Sequence, residues 1–328
     1  MNVKSQEISD IKAFFLAVVL SLIFTISLTY ATLELPRLLH RILIKIIPEY
    51  PIPIGLEKLI EPLKLYGYAA LIMVLLLILL GFLTKRFRIT VLGSVIMQLT
   101  TFGYFAFTMF VFAGIGIVRL IWLPMLEISP MVLRLGDVVL LPLFVIGILA
   151  AILGYRGIEI MHLYSYASIV AMFIGALVLF MGTMTWLYGK FKGVELVDFW
   201  IYKYSRHPQY LGFLIYSYGL LLLASIMPAP KGGYFPLPTF PWLIAALLVI
   251  DVAILEEIEL RKKFGEQFNE YKKRVPFMLP LPKIFEYPIK LITLLMIKKN
   301  FPENWKEVTL ITVVYTILLV VLSIPLSY

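Results

Sequence analysis

Apolar residues come in long unbroken runs separated by short polar loops, not in the alternation of a half-buried strand or the one-sided stripe of a surface helix. Crossing a hydrocarbon core of about 30 Å takes roughly 20 helical residues. Eight runs approach or exceed that length: Ala13 to Leu35, Tyr66 to Leu83, Val91 to Val118, Leu135 to Leu153, Tyr164 to Leu187, Tyr210 to Met227, Phe240 to Leu255 and Val308 to Leu326. The third is long enough to tilt or bend, and the sixth and seventh are short. This pattern predicts an all-α fold, a polytopic transmembrane helical bundle of about eight spans. A further apolar stretch, Ile284 to Lys299, is too short to span and reads as an interfacial or re-entrant helix before the last span.

Composition agrees. Hydrophobic residues make up 61% of the chain, charged residues 15%, and mean hydropathy is +0.94, more apolar surface than one water-soluble core buries. A net charge of +9 would suit nucleic acid, but 22 of the 29 lysines and arginines fall in the odd-numbered loops, the asymmetry of cytoplasmic loops in membrane proteins. Nucleic acid is therefore set aside as a partner in favour of the lipid bilayer. The odd loops are expected in the cytoplasm and both termini outside; Lys85, Arg86 and Arg88, between the second and third runs, go against that rule. The first run is too long for a signal-peptide core and lacks a small-residue cleavage site, so it is expected to remain as a span. A soft division near Gly154 separates an N-terminal four-helix membrane region (1–154) from a core that carries the motifs below (155–283). An interfacial helix and the last span follow (284–328). Nothing in the pattern sets an oligomeric state.

No cysteine occurs, which excludes disulfides, thiolate metal sites and a cysteine nucleophile. Of the three histidines, His40 and His162 flank apolar runs and read as interfacial. The third lies in Ile201-Tyr202-Lys203-Tyr204-Ser205-Arg206-His207-Pro208-Gln209-Tyr210-Leu211-Gly212, just before the sixth run. Proline is favoured in the first turn of a helix, so Pro208 is expected to start one. Arg206 and His207 then sit at its N-terminal end, where unpaired N–H groups and the helix dipole favour an anion such as a ligand carboxylate. The plainer reading makes Arg206 and His207 interfacial residues, Tyr202, Tyr204 and Tyr210 an aromatic belt, and Gly212 a helix-packing position.

Glu256, Glu257 and Glu259 follow the seventh run, ahead of the basic stretch Arg261 to Arg274. The sixth and seventh runs form an antiparallel hairpin, so the Glu pair and the Arg-His-Pro segment reach the same side and can share one site. Carboxylates at a membrane helix end are costly to desolvate and need a partner: a ligand cation, a ribose hydroxyl or a basic side chain. A solvated charge run is the alternative. Asp251, within the seventh run, reads as a structural hydrogen-bonding group. Gly103, Gly114, Gly116, Gly175 and Gly182 read as helix packing rather than a phosphate loop.

The pattern Arg206-His207-Pro208-x-Tyr210-x-Gly212, then Glu256-Glu257, Phe264-Gly265-Glu266 and Glu270 to Pro276 with Pro280 resembles the isoprenylcysteine carboxyl methyltransferase family. Phospholipid N-methyltransferases and some bacterial thiol methyltransferases are similar over the first motif and the Glu pair. The resemblance covers roughly Tyr164 to Pro282. It implies an integral membrane enzyme that holds S-adenosyl-L-methionine at the cytoplasmic end of the hairpin and takes a lipid or isoprenoid acceptor from the bilayer. Carried over, His207, Tyr210, Leu211, Gly212, Glu256 and Glu257 bind the cofactor. Arg274, before Val-Pro, orients the acceptor, a carboxylate in the prenylcysteine enzymes, and Arg206 helps in either role. That family often has glycine before the Ile-Tyr pair, where this chain has Trp200.

Methyl transfer from a sulfonium is an in-line displacement on an activated donor, so positioning and desolvation suffice without a metal or covalent nucleophile. A carboxylate acceptor needs no base; an amine or thiol does, and Glu257 or His207 are the candidates. Two other functions compete. Membrane sterol reductases, which bind NADPH, use a similar Arg-His segment, against which stand Gln209 in place of asparagine and the Lys-Lys-Arg-Val-Pro segment. A transporter or lipid-binding scaffold would need the broken-helix pair that marks a midplane site, and none is seen.

Overall fold

In lipid, only a helix or a closed barrel satisfies backbone N–H and C=O groups, and among the described residues every element is helical. The structure, a computed structural model, describes residues 10–43, 56–84, 128–226, 239–279 and 291–327, with positions 89, 92, 93 and 124. Helices α1 (Asp10–Leu43) and α2 (Leu56–Leu83) come first. Two short 3₁₀ turns (Pro130–Arg134, Asp137–Leu140) then lead into α3 (Leu141–Ile152) and α4 (Ile158–Phe191). A third 3₁₀ turn (Trp200–Lys203) precedes α5 (Pro208–Ile226), α6 (Thr239–Phe264) and α7 (Glu266–Arg274), and α8 (Trp305–Ser327) closes the chain.

Among the described residues, three helices can cross a bilayer by length and composition: α1 over Asp10–Thr32, α4 and α8. Shorter apolar stretches cover Leu65–Gly81, Asp137–Ile152 and Pro208–Leu223. The expected Phe240–Leu255 span forms the first part of α6. Apart from Leu92 and Gly93, Val91–Val118 with Gly103, Gly114 and Gly116 lies outside the described residues, as does the first part of the Ile284–Lys299 stretch, of which residues 291–297 are helical. Large apolar side chains such as Phe15 and Phe173 are exposed on these helices, as a lipid solvent allows.

The centre is the antiparallel pair α4–α5. A Cβ on Gly212 would run into the backbone of Leu179, and one on Gly175 into that of Tyr216. The glycines thus let the two backbones approach, the small-residue packing of membrane helices. Antiparallel to α5, α6 packs through Leu211 with Ala253 and through Leu221 with Trp242 and Ala246. Helix α8 lies along α6, where Leu255 and Ile258 meet Val308. Thr312 Oγ1 donates to Asp251 Oδ1 at 2.6 Å, giving that membrane acid the structural role expected of it. Helix α1 lies along α4, with Ala13 and Ala17 fully buried.

Two ends of the bundle differ in content. Arg134, Asp137, Thr239 and Ser327 meet at one: Arg134 Nε donates to Asp137 Oδ2 at 2.8 Å, Thr239 Oγ1 to Asp137 Oδ1 at 2.7 Å, and Ser327 Oγ to Arg134 O at 3.0 Å. The Arg-His-Pro segment and the Glu pair lie at the other.

This arrangement corrects two expectations. The Leu135–Leu153 run is no full span: α3 has 12 residues, about 18 Å at 1.5 Å each, and Leu140 and Leu143 pack on Leu222 and Tyr164, at the end away from the motifs. Nor does α1 begin opposite the motifs, since Asp10 pairs with Lys192 at 2.7 Å, just after α4. Only the C-terminal end of α8 lies opposite the motifs as expected.

Gly212→Val forces apart two backbones that no rotamer can relieve. Overpacking costs about 1–3 kcal/mol, and more where backbone must move; the expected outcome is a lower thermal midpoint in detergent, measured against a control substitution at lipid-facing Phe173.

Candidate functional site

Pro208 begins α5 as its sequence position demands, and the first helical bond runs from Leu211 N to His207 O at 3.0 Å. Arg206 and His207 therefore stand just outside the helix, and Ser205 Oγ accepts from His207 N at 3.3 Å. On the returning arm, α6 continues beyond its apolar stretch as a single helix, which brings Glu256 and Glu257 alongside them.

The hub is Arg206 with Glu257, both buried; the glutamate is 1% exposed. Arg206 Nε donates to Glu257 Oε1 at 2.5 Å. Its Nη1 donates to Lys272 O at 3.1 Å and to Val275 O, and its backbone N–H to Pro276 O at 3.1 Å. One side chain and its amide thus join the start of α5, the end of α6 and the α7–Val275–Pro276 turn. His207 Nε2 donates to the same Glu257 oxygen at 3.3 Å, while Nδ1 lies 3.7 Å from Glu256 Oε2. The second oxygen, Glu257 Oε2, accepts no hydrogen bond from the described residues and faces Lys272 Nζ at 3.4 Å.

Glu257 lies just past the apolar run. Burial opposes its charge, but the His207 hydrogen bond and the Arg206 guanidinium outweigh burial and hold the carboxyl down at about 2. Lys272 is pushed below the usual lysine range, first by burial, with Glu257 opposing.

A pocket of about 310 Å³ opens beside this hub, at the lower end of the roughly 300–1,000 Å³ typical of small-molecule sites. His207, Tyr210 and Glu256 line it, and Tyr210 hydrogen-bonds Glu256. Glu256, unlike Glu257, keeps 46% of its side chain exposed. Trp186, Leu196, Val197 and Leu260 supply apolar wall; Lys190 and Lys263 supply cations, the latter paired with Glu195 at 2.9 Å. Among the described residues no cluster of metal ligands occurs.

Of the residues singled out from sequence, His207, Tyr210, Glu256 and Arg206 line this pocket, and Glu257 stands directly behind Arg206 and His207. Three are elsewhere. Leu211 packs on Ala253 and Met278, Gly212 on α4, and Arg274 is exposed, its Nε donating to Glu270 O at 3.4 Å. Sequence reasoning assigned no site role to Tyr202 or Gln209, which line the pocket and bond each other, Tyr202 Oη to Gln209 Oε1 at 3.1 Å. Their spacing of seven across a turn is the signal that was available.

Trp200, at the glycine position of the resembling family, has φ of 50°, a left-handed conformation that disfavours side chains. Its indole stacks on Tyr188 at 4.8 Å and meets Phe14 of α1 edge-on at 5.9 Å. Aromatic packing offsets the strain, so the turn into Tyr202 keeps its glycine-like path.

Fold and site define a helical membrane protein with a small-molecule pocket where two antiparallel helices end. Residues 104–275, just over half of the chain, match a family described as a protein of unknown function, DUF1295, and the chain belongs to that family. Over 83 residues it is 31% identical to methanethiol S-methyltransferase 1 of Bradyrhizobium diazoefficiens, a stretch covering 24% of each chain, so that the protein spans about a quarter of that relative's length. No solved structure matches it.

Because Glu257 holds its proton more weakly folded than unfolded, its contribution to stability is present above its ordinary value of 4.5 and is lost as pH falls toward 2. Thermal midpoints are expected to fall over that window in the wild type, and Glu257→Gln is expected to remove this component. Arg206→Ala strands a buried carboxylate, a loss of about 3–5 kcal/mol, read as a lower midpoint at pH 7.

Proposed function

We propose that this protein is an integral membrane methyltransferase that uses S-adenosyl-L-methionine at the cytoplasmic face, on an acceptor carried by or dissolved in the bilayer. What carries the reading is one conjunction: His207, Tyr210 and Glu256 line a single pocket, and the ion pair fixing His207 joins both halves of the motif that resembles membrane methyltransferases. The name of the Bradyrhizobium relative points the same way.

The pocket's chemistry fits the cofactor. Glu256 offers an open carboxylate to ribose hydroxyls or an amino group, Lys190 offers a cation to a carboxylate, and Trp186, Leu196, Val197 and Leu260 offer apolar surface to a base. Bound there, the cofactor supplies an activated methyl group. The chain has then to align the acceptor, exclude water and, where the acceptor carries a proton, remove it.

The arginines bear on the acceptor's nature. Arg206 gives Nε and Nη1 to Glu257 and two backbone carbonyls, and Arg274 is exposed and does not line the pocket. Arg274 is thus not placed to hold an acceptor carboxylate there. His207, by contrast, has Nε2–H committed to Glu257, which leaves Nδ1 as the lone-pair nitrogen of the neutral ring. An amine or thiol acceptor that gives its proton to His207 fits this arrangement better than a carboxylate.

Calorimetric titration of the purified protein with S-adenosylhomocysteine tests the reading. One-site binding is expected, weakened about tenfold or more in His207→Ala and Glu257→Gln, as loss of a charge-assisted hydrogen bond implies, and NADPH is expected to give no heat. Binding of NADPH alone selects a reductase, and silence toward both selects a non-catalytic role.

A further inference from the structure

We propose that Lys272 is a positioning residue of this site, seated on Phe301 so that its ammonium supplies the counter-charge for the buried second oxygen of Glu257. The need for one is visible in the hub. Both hydrogen bonds to Glu257 fall on Oε1, from Arg206 and His207, while Oε2 is buried and accepts none from the described residues. An unpaired carboxylate oxygen at 1% exposure is a costly arrangement unless a cation stands by. Lys272 Nζ stands 3.4 Å away.

Two contacts hold that ammonium in place. Its own backbone carbonyl accepts from Arg206 Nη1 at 3.1 Å, tying residue 272 to the hub. Its Nζ lies 3.1 Å from the centre of the Phe301 ring, a cation–π contact. Phe301 itself packs with Leu255, Ile258 and Val308, so the lead-in to α8, beyond the family-matched residues, braces the site. The surrounding charges are Arg206 and His207 before α5, Glu256 on the same helix as Glu257, and Tyr271 beside Lys272 on α7. Lys272 also feels Arg206 and Arg261, whose repulsion Glu257 offsets.

The consequence reaches His207 through Glu257. A carboxylate held at both oxygens cannot rotate, and the imidazole that donates to it keeps its tautomer. Lys272 therefore acts without touching substrate. The inference rests on the proposed function for its catalytic meaning, but its electrostatic part is measurable without any ligand.

The experiment uses the full chain in nanodiscs with Lys272→Met, Lys272→Arg, Phe301→Leu, Glu257→Gln and the Lys272→Met/Glu257→Gln double variant. Thermal midpoints are recorded without ligand from pH 7 down to about pH 3, across the window below 4.5 in which the unfolded chain takes up the Glu257 proton and the folded chain does not. Lys272→Met removes a nearby opposite charge and is expected to let folded Glu257 take up its proton about one pH unit sooner, so that the midpoint is lower at pH 7 and its fall below pH 4.5 is shallower and levels off earlier than in the wild type. Lys272→Arg is expected to keep the wild-type limb, and Phe301→Leu to give part of the change. In the Glu257→Gln background Lys272→Met should change no acid limb. A wild-type limb in Lys272→Met, or an equal effect with and without Glu257, overturns the proposal; a wild-type limb in Phe301→Leu overturns the seating by the ring. In parallel, S-adenosylhomocysteine affinity is expected to fall about tenfold in Lys272→Met and to be restored in Lys272→Arg. A wild type that binds no S-adenosylhomocysteine refutes the methyltransferase reading, while the ligand-free limb still decides the place of Lys272.

Discussion

One buried ion pair, Arg206 with Glu257, holds the working end of this molecule together. Three stretches of chain distant in sequence end there: the lead-in to α5, the end of α6 and the turn after α7. Each has other packing, and the guanidinium, carried by the first, hydrogen-bonds the other two. A planar group with five donors suits this, since it can serve a carboxylate on one edge and two carbonyls on another. Lysine could not.

The membrane character was legible because twenty apolar residues in a row have few other physical solutions. Counting the crossings was harder. Leu135–Leu153 is as apolar as a span, but the 3₁₀ turn Asp137–Leu140 takes up its start and leaves an α-helix, Leu141–Ile152, too short to traverse. Hydropathy measures transfer to lipid and is blind to such turns. The error carried its own warning in Lys85, Arg86 and Arg88, whose charge conflicted with their assigned side.

At the site, residue types at helix boundaries were readable and helix faces were not. Pro208 announced a helix start, and the hairpin argument then put His207 and Glu257 together, as found. Gly212 failed as a pocket residue because, at 100° per residue, it lies more than half a turn from Tyr210, on the face with Tyr216 and Gly219 that α4 covers. On α7, Phe268, Tyr271 and Lys272 share an inner arc, and Arg274 falls roughly 110° from its middle. Spacing within a motif does not say which member faces inward until a neighbouring helix fixes the rotation.

Why a buried charge network should stand here at all is a question of specificity. An apolar trio of similar volume could hold the same three segments, often with equal or greater stability. It could not fix a proton. Glu257, kept ionised by Arg206 and His207 against the cost of burial, demands an N–H from His207 Nε2, while Nδ1 lies 3.7 Å from Glu256 at the pocket. Arg206 commits Nε and Nη1 to this duty, and the buried charges hold one ring nitrogen of His207 toward Glu257, where an apolar contact would leave the ring free to turn.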